Sequence, residues 1–154
     1  MIPRYSGAAI LAASLLSIGC GSGDPPRVAV FPAGGTVQRS GKPLANVMVR
    51  FQAVDPPAVP PGAAEVGSLL TETDEAGQFT LSTYTGDDGA PAGDYLVTVH
   101  PGSGPEPEDR DGPARPTRVN PALARYSSPK TSPLKATINP DGNQGDNRFV
   151  FELE

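Results

Sequence analysis

The chain carries one cysteine, Cys20, and one histidine, His100, so most of the reactive chemistry open to it runs through these two residues. A lone thiol cannot close a disulfide within the chain. Cys20 therefore packs as a small hydrophobe, pairs with another molecule or is chemically modified. Its surroundings favour modification, because Gly19-Cys20-Gly21-Ser22-Gly23 offers almost no apolar contact and has the composition of a flexible tether. A lone imidazole leaves no histidine pair for a metal, and no Gly-x-Ser-x-Gly turn frames a serine for His100 to activate. His100 reads as a polar strand end. The carboxylate pairs Asp74-Glu75 and Asp87-Asp88 could offer oxygen ligands to calcium, but neither has the ligand count or alternation of a dedicated calcium loop. They read as solvated turns. With no tryptophan in the chain, stacking on a sugar ring falls to Tyr84, beside the carboxylate loop, and to Tyr126. Tyr84, Asp87, Asp88 and Tyr126 are thus the candidate ligand-facing residues, and no catalytic residue, metal ligand or cofactor is assigned.

The residues before Cys20 suggest which modification applies. A single basic residue, Arg4, precedes the apolar run 8–18, which is the charge order and length of a secretory signal. The run is too short to cross about 30 Å of hydrocarbon as a helix. Gly19 directly before Cys20, behind a Leu/Ile-rich run, resembles the lipobox of bacterial lipoproteins. Ser17 stands where that box usually has leucine, with Leu16 one place earlier. The resemblance implies that residues 1–19 are a signal peptide and that Cys20 becomes the lipidated first residue of the mature chain, carrying acyl chains such as palmitate. It also implies a cell-envelope location outside the cytoplasm, with the membrane as partner through the lipid. Residues 20–33 then form a flexible tether and residues 34–154 a folded domain.

Composition narrows the partners. Of 12 basic side chains one, Arg4, lies in the leader, so 17 acidic groups face 11 basic ones after it and the formal charge there is −6. A nucleic acid partner is not expected, since it needs a clustered positive face to displace phosphate counterions. Arg110, Arg115 and Arg118 form the densest basic group, and they are interleaved with Glu106, Glu108, Asp109 and Asp111. The length suits one domain with a sizeable core. Nothing in the sequence calls for a second copy, so a monomer is expected.

Eighteen glycines and 19 prolines punctuate the chain rather than fill it, and the segments between them alternate apolar and polar residues with the period of half-buried strands. Residues 46–54 put Val47, Val49, Phe51 and Ala53 on one face. Residues 78–84 do so with Phe79 and Leu81, 94–100 with Tyr95, Val97 and Val99, 134–138 with Leu134, Ala136 and Ile138, and 149–153 with Phe149, Phe151 and Leu153. Segments 35–38 and 68–73 complete a set of about seven. The turns Arg39-Ser40-Gly41-Lys42-Pro43 and Asp74-Glu75-Ala76-Gly77 have hairpin chemistry: glycine for φ > 0 and aspartate to bond the backbone ahead of it. Helical character after the leader is confined to 121–126, one or two turns that begin at Pro121. Residues 55–62 and 101–121 are proline-rich and read as extended loops, with Tyr126 to Leu134 a structural lead-in to the next strand. The expected fold is all-β, a single antiparallel seven-stranded Greek-key β-sandwich.

The order of these pieces resembles a known family. Gly35-Thr36-Val37, then Gly41-Lys42-Pro43-Leu44, Thr73-Asp74-Glu75-Ala76-Gly77-Gln78-Phe79 and Gly93-Asp94-Tyr95-Leu96-Val97-Thr98-Val99, are similar to the carboxypeptidase regulatory-like domain. That domain is also described as transthyretin-like or prealbumin-like, and small secreted lipoproteins of the planctomycete bacterial type carry it. The resemblance implies a fold and a compartment but no activity. Hydroxyisourate hydrolases, the enzyme branch of transthyretin-like proteins, rely on several histidines and a C-terminal Tyr-Arg-Gly-Ser, whereas this chain ends Phe151-Glu152-Leu153-Glu154. The expectation is a non-enzymatic, lipid-anchored module with a structural or protein-interaction role, its partner an envelope protein or glycan. The alternative is a carbohydrate- or calcium-binding module of the same fold.

Overall fold

In the computed structural model, residues 26–63, 65–102, 121–142 and 145–154 are described. Cys20, the leader 1–19 and most of the stretch 101–121 lie outside them. The described residues form eight strands: β1 Gly34–Arg39, β2 Lys42–Pro43, β3 Val47–Ala53, β4 Ser68–Glu72, β5 Gln78–Thr80, β6 Gly93–Pro101, β7 Lys135–Ile138 and β8 Arg148–Leu153. A 3-10 turn at Pro121–Leu123 sits where the helical character was expected, and no described segment is an α-helix.

The strands make two four-stranded sheets. One has the order β4-β3-β6-β7 and is antiparallel throughout. The other is built around β1, which pairs along its whole length with β8 and shares its opposite edge between β5 and β2. Alternation put the right side chains inside. Val47, Val49, Phe51 and Ala53 of β3 are buried while Arg50 and Gln52 are exposed, and Tyr95, Val97 and Val99 of β6 lie beside them on the same inner face of that sheet. Ala136 and Ile138 of β7, Phe79 and Leu81, and Phe151 and Leu153 of β8 complete it, with Phe149 and Leu134 packed at its margin.

Phe51 is the hub. Its ring centroid lies 5.8 Å from that of Phe79, 6.0 Å from Tyr95, and 6.1 Å from both Phe149 and Phe151, so one side chain of the wholly antiparallel sheet meets three rings of the sheet built on β1. Tilted ring pairs at such distances add attraction beyond the area they bury. Tyr95 keeps its polar tip satisfied by donating to the Pro91 carbonyl at 2.8 Å, and burial pushes its phenol up to about 12. The close approach of β1 to β8 requires Gly35, where a Cβ would run into the Phe149 carbonyl oxygen.

Three expectations change. The pairing of β1 with β8 is parallel, not antiparallel. This follows from the route of the chain: β7 ends opposite Gly93, at the end of the molecule where β1 begins, and the crossover 139–147 delivers β8 beside β1 running the same way. Secondly, the Asp74–Gly77 turn has the expected chemistry, with Asp74 Oδ1 accepting from the amides of Ala76 at 2.9 Å and Gln78 at 2.8 Å and with Gly77 at φ 70°. The strands it joins, β4 and β5, lie in different sheets, so the turn crosses between layers rather than closing a hairpin. Thirdly, the strand expected at 78–84 stops at Thr80, because the amides beyond Ser82 turn away to a carboxylate described below. The small addition is β2, which follows the Ser40-Gly41 turn for two residues before the chain changes sheets.

The molecule has two distinct ends. At one, β1 and β8 begin, β5, β3 and β7 finish, and Phe31 bridges to Ala90. At the other lie the Ser40-Gly41 turn, the Thr73–Gly77 crossing and Gly102, whose amide donates to the Asn46 carbonyl at 3.0 Å.

Candidate functional site

The chemically richest place is the first end, where residues 81–92 run from β5 to β6. The polar run Ser82-Thr83-Tyr84-Thr85 cannot continue the sheet, and Asp88 gathers it instead. Its Oδ1 accepts from the Thr83 amide at 2.6 Å, and its Oδ2 from the amides of Tyr84 at 3.0 Å and Thr85 at 3.1 Å. Thr83 Oγ1 donates to the Gly89 carbonyl at 2.6 Å and Ser82 Oγ to that of Thr85 at 3.0 Å, which closes the loop on itself. Burial by itself would raise the Asp88 pKa, but the three amides and the Ser82 hydroxyl favour the anion and hold it below the ordinary aspartate value.

That shift sets a pH dependence. A carboxylate whose folded-state pKa is depressed contributes stability in full above its unfolded-state value, about 4, and the contribution is lost as pH falls through the lower folded-state value. Asp88→Asn is therefore expected to lower the melting temperature at pH 7, with the gap to the parent closing as the pH is taken down toward 3. Thermal melts across that range check it; a gap that stays constant with pH would show that the charge is not what orders the loop.

The four candidate residues have separate fates. Both oxygens of Asp88 are engaged within the loop. Tyr126 is 3% exposed, its hydroxyl accepting from the Glu154 amide at 3.0 Å, so it is a core residue rather than a ligand platform. Packing wins because the preceding 3-10 turn buries Leu123 and the Tyr126 carbonyl accepts from Val99 of β6. Tyr84 is half-buried, with the Arg27 guanidinium 5.2 Å above its ring and its hydroxyl accepting from the Val28 amide at 2.9 Å. Its stacking face and polar tip thus serve the N-terminal segment. Asp87, left-handed at φ 61°, is exposed.

Asp87 borders two adjoining depressions that alternation alone did not reveal. One, of about 230 Å³, is lined by Pro32, Ala33, Gly34, Phe79, Thr80, Asp87 and Arg148. The other, of about 350 Å³, shares Phe79, Thr80, Asp87 and Arg148 and adds Thr71, Glu72, Asp74 and Gln78. Arg148 reaches this place only because β8 runs parallel to β1, with Gly34 between it and Thr80. The result is a shallow polar surface of one guanidinium and three carboxylates, able to hydrogen-bond a small ionic solute. Asp74 is committed to its own turn.

His100 is half-buried on the outward face of β6, its Nε2 3.0 Å from the hydroxyl of Thr98. Desolvation and the nearby Arg50 charge lower its pKa, favouring the neutral imidazole. Among the described residues, no group of three or more His, Cys, Asp or Glu side chains is placed to hold a metal ion. Comparison with family models, with curated proteins and with solved structures finds no match for this chain.

Proposed function

We propose that the chain is a lipid-anchored, non-enzymatic β-sandwich module of the bacterial cell envelope, attached through Cys20 and acting as a structural or protein-interaction domain. The observation that carries this reading is Gly19-Cys20 at the end of the apolar run 8–18, with no other cysteine in the chain. Within it, the two sheets form a Greek-key sandwich of the transthyretin-like kind, seven principal strands with β2 as an appendage of the first turn. The order of strands and turns around the shared core supports that assignment. Tyr126 in the core, Tyr84 under Arg27 and Asp88 bonded to its own loop weigh against a sugar platform or calcium loop, the alternative reading of the same fold.

Expression of the full chain with its own leader in a bacterial host, with an alkyne-bearing fatty acid in the medium, tests the anchor. The parent chain is expected to be labelled and to sediment with membranes. Cys20→Ala is expected to be unlabelled and released, because stable attachment needs more than one acyl chain and the variant has no thiol to carry them. Unchanged labelling and sedimentation of the variant would refute it. Turnover in a broad hydrolase panel would refute the non-enzymatic role.

A further inference from the structure

We infer that the end of the sandwich formed by residues 27–32 and the loop 82–89 is the face turned to the bilayer, so that the Ser40-Gly41 and Gly102 end points away from it. The inference rests on the lipid anchor proposed above and adds which surface the membrane meets. Its basis is where the first described residues are fastened to the folded body. The Val28 amide donates to Tyr84 Oη, Arg27 lies over the same ring, and Phe31 and Ala90 exchange two backbone hydrogen bonds of 2.8 and 3.0 Å. All three attachments are on residues 84–90, and Asp88 holds that loop in shape.

Val28 comes only eight residues after Cys20. Whatever path the chain takes between them, covalent geometry limits the span to about 29 Å at full extension. The long axis of the body is comparable, since the nine residues of β6 run about 30 Å from Gly93 at the loop end to Pro101 at the other. A short leash fixed at one end of a body of this length keeps that end low. A tether free up to β1, as residues 20–33 suggest by composition, would set a weaker bias. The attachments at Val28 and Phe31 shorten it and aim it. Headgroup attraction is not required, and the acidic balance of the domain offers none.

The test uses the full lipidated chain with one cysteine added, which is uniquely reactive because the Cys20 thiol is then a thioether. Gly86→Cys places a label in the loop, where an added side chain meets open space, and Glu75→Cys places one at the exposed far turn. Each labelled protein is reconstituted in phosphatidylcholine vesicles with and without lipids that carry a nitroxide on the headgroup. The expected result is a large loss of fluorescence at position 86 and little at position 75, with Cys20→Ala as the unattached control. Equal loss at both positions, or greater loss at 75, with normal lipidation overturns the orientation alone. Continued membrane association of Cys20→Ala, or a parent chain that takes up no fatty acid, overturns the anchor and the orientation together.

Discussion

Phe51→Ala is expected to cost about 3–5 kcal/mol of folding stability, the upper range for truncating a buried aromatic. The residue is fully buried at the centre of four rings contributed by both sheets, and no neighbour can close the space without moving a strand. A domain of this size has only about 5–15 kcal/mol in all, so the variant would lose a large fraction of its stability. Arg50→Ala, one residue along the same strand and facing water, is expected to change stability by less than about 0.5 kcal/mol. Denaturant unfolding followed by far-ultraviolet circular dichroism separates the two. Similar losses at both positions would mean that the sheets do not meet across Phe51.

The second large effect is expected at Asn147, which is 0% exposed. Its Oδ1 accepts from the Asn139 amide at 2.9 Å, and its Nδ2 donates to the carbonyls of Asn139 at 3.2 Å and Pro32 at 3.4 Å. One side chain thus joins the end of β7, the start of β8 and the segment leading into β1. Asn147→Ala removes three part-buried hydrogen bonds, at about 0.5–1.5 kcal/mol each. A total loss of about 3 kcal/mol is expected. Asn147→Asp is nearly isosteric but exchanges two donated hydrogens for lone pairs against two carbonyls, so it is expected to be at least as harmful. If the Asp variant unfolds at the same denaturant concentration as the parent, the amide is not the bridge described.

The core was legible because period-2 alternation is a local signal: Phe51, Phe79, Tyr95, Val97 and Phe151 were each placed inward by their immediate neighbours. Turn chemistry was equally local, and Gly77 and Asp74 behave as their types demand. What was not legible depends on distant pairing. Nothing near Phe149 shows that β8 lies parallel to β1, and so nothing identified Arg148 as a neighbour of Thr80 and Asp87. Asn147, in a run of Gly, Asp and Asn, looks like any polar turn residue until the crossover buries it. The candidate ligand residues were chosen by type. Type cannot say whether a tyrosine ring faces water, as Tyr126 shows, or whether a carboxylate has already found its amides, as in Asp88.

The parallel contact of β1 with β8 also bears on how the protein can be made. The first strand is completed by the last, Gly34 lying beside Arg148 and Arg39 beside Leu153. A ribosome delivers the former long before the latter, and for that interval one whole side of β1 lacks its partner and the Phe79 ring lacks Phe151. Contacts between the two ends of a chain are also the slowest to form, because closing so long a loop costs entropy before any contact repays it. The sheet built on β1 is therefore incomplete until β8 is available. If the chain is exported unfolded, as the envelope location proposed above requires, this ordering disfavours compaction of the β1 sheet before β8 has crossed.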